Sequence, residues 1–178
     1  MISRWFVLAS LVFAWDVVHS EETEEAARLD LFVAVDCPIA NAYAPEINRL
    51  HRDFQPQGLL IRLVYPDPTL TAEALQTHRS EYQLTPPQVV DETHEAVTAA
   101  GATITPEAAL FDSDGVLRYR GRIDNLFTAL GDRRRVVSSR DLRDAIERVL
   151  AGETFSLIET EAIGCSIEPL EPVVRVEG

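Results

Sequence analysis

The chain has 178 residues, enough for one ordinary globular core with appendages and too few for two. Hydrophobic residues make up 46% and charged residues 25%, the balance of a folded rather than a disordered chain. Against 29 acidic residues stand 16 basic ones, and the formal charge of −13 argues against a nucleic-acid partner, whose phosphates such a surface repels. Every basic residue is arginine, so Schiff-base and P-loop lysine chemistry are excluded. The two cysteines allow at most one internal disulfide.

Residues 1–20 have the layout of a secretory signal peptide. Arg4 supplies the positive start, Trp5 to Ala14 the apolar stretch, and Val18 and Ser20 the small residues before a cleavage ahead of Glu21. The apolar stretch is short for a membrane span, which needs about 20 such residues. The expectation is a periplasmic or secreted protein with no stable membrane insertion once the leader is removed. Its cysteines would then meet an oxidising space in which a disulfide persists.

After an acidic lead-in, Leu29 to Val35 is a nearly continuous apolar run, as a strand covered on both faces would be. Asp36-Cys37-Pro38 opens a helical stretch with Ile47, Leu50 and Phe54 on one face. Leu59 to Val64 reads as a second buried strand, and Thr71 caps a helix running to about Leu84. Gln88 to Val90 adds a short strand, and a further helix from Thr93 stops at Gly101. Glu107 to Phe111 and Val116 to Arg122 flank an Asp-Ser-Asp-Gly turn and predict a hairpin. Its second arm alternates Leu117, Tyr119 and Gly121 with a stripe of Arg118, Arg120 and Arg122. Ser138 with Asp141 resembles a capping box for a helix that ends at Gly152. This order predicts an α/β sandwich with a mixed sheet, a domain spanning 29–152, and a tail, 153–178, that carries Cys165.

Cys37 leaves a buried strand and enters a helix N-terminus, where unpaired N–H groups and the helix dipole favour a thiolate. The plainer alternative is a buried structural cysteine. Pro106, after Thr105 and just before a strand, is either an ordinary strand-entry residue or a cis-proline beside the site. Cys165 is an unpaired tail thiol, a resolving thiol for Cys37, or half of a structural staple. Among the histidines, His51 reads as a surface residue, His78 as a core-edge residue, and His94 as a cap or surface residue. Arg133 to Arg135 form a loop run that is either solvated or a docking patch.

The phrases DCPIANAYAPEI, VYPDP, TPEAALFD, YRGRIDN and a terminal GCSI resemble an exported bacterial redoxin-domain group. That group has the thioredoxin-like fold of the alkyl hydroperoxide reductase/thiol-specific antioxidant clan. The resemblance spans about Leu29 to Ile167. It implies a three-layer α/β/α sandwich, a cis Pro106 facing Cys37, and Cys37 as the reactive thiol. With Cys165 as the candidate resolving thiol, the candidate catalytic group is Cys37, Cys165, Thr105 and Pro106, and the expected activity is that of a thiol–disulfide oxidoreductase or a thiol peroxidase-like antioxidant. Its partners would be protein or small-molecule thiols, disulfides or peroxides, with a reductant that recycles the site. Two departures stand out. Ala40 occupies the place of a thioredoxin's second cysteine, and Ala34 that of a peroxiredoxin's threonine. No cofactor is needed for this chemistry. A second reading takes the chain as a copper(I)-binding assembly or sensing module without turnover, with Cys37, Cys165 and His94 as ligands. Sco-type copper proteins share the fold, but Asn41 stands at their second cysteine position.

Overall fold

The structure, a computed structural model, describes residues 26–170. The expected signal peptide, 1–20, and the end of the tail, 171–178, lie outside the described residues. The central strand is β1 (Arg28–Phe32), parallel to β2 (Leu60–Tyr65) and antiparallel to β5 (Glu107–Phe111). With β3 (Gln88–Val90), β6 (Leu117–Gly121) and β9 (Ile158–Glu159) the main sheet runs β3-β2-β1-β5-β6-β9. It is the mixed sheet of an α/β/α sandwich.

Alternation along β1 separates two cores. Leu29, Leu31 and Val33 face a large cluster with α1 (Pro38–Ala42), α2 (Ala44–Phe54) and α5 (Asp141–Leu150), to which Ile39, Ile47, Leu50, Leu142 and Ile146 contribute. Leu75 and Tyr82 of α3 (Ala72–Tyr82) pack at its border. Phe32 faces the other way, into a smaller cluster with Val64, Ala109, Phe111 and Ala100 of α4 (Glu95–Ala100). Asp30 shares that face, buried, and is held by Arg62 through two hydrogen bonds of 2.6 and 3.0 Å. A buried carboxylate needs such a partner, because leaving it unpaired costs several kcal/mol, about 3–5.

Two local features differ from the sequence expectation. β1 ends at Phe32; Val33 still donates to the Val64 carbonyl at 2.9 Å, and the chain then turns through Val35 and Asp36. Ser138 does not cap α5. Asn125 takes the loop instead, receiving the Ser138 and Ser139 amides at 3.0 and 3.1 Å, and Arg140 stands at the N-cap. The arginine stripe is engaged in ion pairs: Arg118 pairs with Asp112, Arg120 with Glu159, and Arg122 with Asp141. It ties β6 to its own turn, to β9 and to α5. Arg133 to Arg135 are exposed, at and after a small hairpin of β7 (Phe127–Ala129) and β8 (Asp132–Arg133).

The tail is not an appendage. Ile158 and Glu159 pair in parallel with Tyr119 and Arg120, closing one edge of the main sheet. Gly121, at φ 137°, lies against the Thr160 backbone, where any Cβ would collide. Beyond it β10 (Cys165–Ser166) pairs antiparallel with β4 (Ile104–Thr105), placing Cys165 opposite Thr105. Among the described residues no helix is long and apolar enough to cross a membrane.

Candidate active site

The site forms where the end of β1, the start of α1 and the turn before β5 converge. Cys37 stands at the N-cap of α1 with extended backbone, and Pro38 takes the first helical position, where its missing N–H leaves no bond unmade. Tyr43 closes α1 and opens α2, and its hydroxyl donates to the Asp124 carboxylate at 2.7 Å. The Thr105–Pro106 peptide is cis and leads into β5. Its Thr105 carbonyl points at Cys37 and accepts the Cys37 thiol at 3.1 Å.

The tail completes the site. Gly164 is pressed onto β4 so closely that a Cβ would collide with the Thr105 carbonyl and the Ile104 side chain. That approach sets Cys165 beside Thr105, and the Thr105 hydroxyl donates to the Cys165 carbonyl at 3.4 Å. Ile167 donates to the Thr103 carbonyl at 2.9 Å and fixes the strand's far end. The Cys165 sulfur lies 2.9 Å from the Cys37 sulfur, at hydrogen-bond contact, with both thiols free.

The two sulfurs are electrostatically unequal. Burial pushes the Cys37 thiol up, but hydrogen bonds, led by those from the Cys165 thiol and the Ala40 amide, outweigh it and hold it below its ordinary value. Cys165, as the donor to Cys37, is pushed up to about 11, with burial and the charges of Cys37 and Asp36 adding to the shift. One proton therefore stays on Cys165 while Cys37 becomes the thiolate. Exposure runs the other way: Cys37 is 0% exposed, whereas Cys165 lines a cavity of about 780 Å³.

A hydrogen-bond chain supports the Cys37 turn from behind. Gln88 donates to the Tyr65 hydroxyl at 2.7 Å, Tyr65 bonds His78 at 2.8 Å, His78 bonds the Asn41 carbonyl oxygen at 2.8 Å, and Asn41 donates to the Val35 carbonyl at 2.9 Å. His78 is thus buried and fully engaged, with its imidazole pushed below the ordinary range by burial. Asn41 and Tyr65 were not among the residues the sequence singled out as functional; the spacing of Asn41, one helical turn after Cys37, was the available signal.

His94 does not join the sulfurs. It stands at the N-cap of α4 with φ 55°, and its ring bonds the Pro66 carbonyl at 2.6 Å. Among the described residues no group of three histidine, cysteine or carboxylate side chains could hold a metal ion. The ligand set Cys37, Cys165 and His94 is therefore not assembled, because His94's ring is committed to the Pro66 loop. His51 bonds Thr85 at 2.9 Å, away from the sulfurs.

Solved structures show the same architecture. A hypothetical protein from Sinorhizobium meliloti 1021 is 26% identical, with a TM-score of 0.68 over 81% of this chain and 80% of that one. An uncharacterized conserved protein from Geobacillus kaustophilus is also 26% identical, with a TM-score of 0.69 over 84% and 80%. A thioredoxin-like protein in the oxidized form is 22% identical, with a TM-score of 0.53 over 73% and 81%, a likeness of fold. No curated protein matches the chain. The model of the AhpC/TSA family matches residues 19–120, more than half the chain, from before β1 into β6. With its thioredoxin-like fold and its cysteine at the head of α1, the chain belongs to the AhpC/TSA family.

Proposed function

We propose that the protein is an exported thiol–disulfide oxidoreductase in which Cys37 and Cys165 cycle between dithiol and disulfide. One observation carries this reading: the two sulfurs stand 2.9 Å apart with their protons unequally held. A disulfide forms by closing that gap to about 2.05 Å. When a substrate thiolate attacks the disulfide at Cys165, the S–S bond breaks and Cys37 departs as the stabilised thiolate, the better leaving group of the two. In reverse, the Cys37 thiolate attacks a mixed disulfide at Cys165 and expels the substrate thiolate. The sequence suggested that Cys37 meets substrate and Cys165 resolves. Burial of Cys37 behind Cys165 favours the opposite order, with Cys165 as the sulfur that substrate meets.

Peroxide chemistry gains less support. Ala34 has no hydroxyl to orient a peroxide, and the Thr105 hydroxyl is engaged by the Cys165 carbonyl. Export rests on the leader at 1–20 and accords with a disulfide that persists in use.

The test is turnover of a small disulfide by dithiothreitol in the presence of the mature protein. Wild type should catalyse exchange, and Cys37→Ser and Cys165→Ser should each reduce it to the uncatalysed rate. Full activity in either variant would contradict the paired mechanism.

A further inference from the structure

We propose that the cavity beside Cys165 is the substrate subsite and that it takes small thiols and disulfides with an uncharged or cationic, partly apolar body, while rejecting anionic ones such as glutathione. This rests on the reading of Cys37 and Cys165 as a redox pair.

The cavity measures about 780 Å³, the size of small-molecule sites, which run to roughly 300–1,000 Å³. Cys165 is in its wall and Cys37 is not, so a bound molecule meets the outer sulfur. Val33, Leu70, Ile167 and Leu170 make much of that wall apolar. A polypeptide substrate would dock most simply by adding a strand beside Thr105, but β10 already holds that edge of β4. A small molecule needs no such edge.

Charge sets the class. Asp36, Asp67, Glu92 and Glu168 line the cavity, and no arginine or histidine does. Among the described residues none of the four is in an ion pair; Asp67 instead accepts the Thr69 amide and hydroxyl at 2.8 and 2.7 Å. Asp36 already acts on the Cys165 sulfur, contributing to its raised titration. Clefts lined by one sign of charge focus the field and change association rates by about 10–1,000-fold. An anionic thiol must bring its charge to the sulfur against four carboxylates; an aminothiol arrives with its thiolate balanced.

The step balances as follows for a thiol RSH and the oxidised protein. The RS⁻ thiolate attacks Cys165 Sγ, the Cys37–Cys165 bond breaks, and Cys37 leaves as a thiolate. A second RS⁻ attacks the substrate sulfur of the mixed disulfide, forming RSSR and freeing Cys165, which takes up a proton. Two thiols lose one electron each, and the protein disulfide gains both.

The experiment reduces the oxidised protein with cysteamine, mercaptoethanol and mercaptoethanesulfonate at low salt. Each rate is divided by that thiol's own rate with the disulfide of thioglycerol, a neutral reference that none of the three thiols regenerates, which removes intrinsic reactivity. Cysteamine should exceed mercaptoethanesulfonate by about tenfold, with mercaptoethanol between. The ratio should collapse near 1 M salt, where the Debye length falls to about 3 Å. It should also collapse in a variant with Asp67→Asn, Glu92→Gln and Glu168→Gln, all exposed positions. It should persist in a control with Asp114→Asn, Asp144→Asn and Glu147→Gln, exposed and outside the cavity. Equal normalised rates, a ranking that survives the cavity variant, or faster reaction with the thiols of an unfolded polypeptide would overturn the assignment. Failure of all three thiols to reduce the protein would instead overturn the redox pair itself.

Discussion

Cys37 and Cys165 sit in contact, yet the segments that hold them differ. Cys37 hangs from the most buried part of the molecule, between a central strand whose Leu29, Leu31 and Phe32 are all 0% exposed and a helix that packs on it. Cys165 is carried by a strand of two residues paired with another strand of two residues. The difference teaches a division of labour: the sheet fixes the thiolate, and a lightly held tail presents its partner to the cavity. Stability should therefore reside on the Cys37 side, and the geometry of the pair should be sensitive on the Cys165 side.

The largest expected effect is on stability. Leu31→Ala opens a cavity in the core cluster that includes Cys37 and should cost about 2–5 kcal/mol in urea unfolding. Ile158→Ala, in the half-buried edge strand of the tail, should cost about 1 kcal/mol. Equal losses would erase the distinction between the two regions.

Gly164→Ala should do the reverse. Its new Cβ meets the Thr105 carbonyl and must push β10 off β4. Closure of the Cys37–Cys165 disulfide, followed by quenched alkylation, should slow by about a hundredfold, the scale on which small misplacements of reacting groups are felt. The unfolding midpoint should move little.

Next is protonation. Removing the donor thiol with Cys165→Ala leaves burial acting on Cys37 with one opposing hydrogen bond fewer, so the Cys37 midpoint should rise, read from thiolate ultraviolet absorbance. An unchanged midpoint would show that Cys165 does not hold the Cys37 thiolate.

The smallest expected effect comes from His78. Its imidazole is held below the ordinary value of about 6.5, so the unfolded chain binds more protons than the folded one as pH drops through that value. Its contribution is complete above about pH 6.5 and is lost as pH falls. His78→Gln should flatten the acid-side decline in urea midpoint relative to wild type, and an identical slope in both would contradict it.

The two sides also differed in how plainly the sequence announced them. The Cys37 side was legible because its signals are strong and local: an apolar run, a cysteine and proline at a helix start, and Ile47, Leu50 and Phe54 spaced along one helix face. The tail was not. Ile158–Glu159 and Cys165–Ser166 are too short to show alternation, and their pairing depends on neighbours more than 35 residues away in sequence, such as Tyr119 and Thr105. The flanking Gly164 hinted at close backbone packing but could not say against what. The sequence offers His94 as a third ligand beside the two sulfurs, whereas from its left-handed backbone position its ring bonds the Pro66 carbonyl. The Ser138 cap fails for a similar reason: Asn125, remote in sequence, holds the Ser138 and Ser139 amides and donates to the Ser138 hydroxyl, and Arg140 takes the N-cap.

The most direct measurement is a peptide map of the mature protein after mild oxidation with one equivalent of a small disulfide. The paired mechanism requires an internal Cys37–Cys165 link in nearly every molecule, formed without dimers and reversed fully by dithiothreitol. Stable mixed disulfides on either cysteine of the wild type, or covalent dimers in place of the internal link, would contradict it.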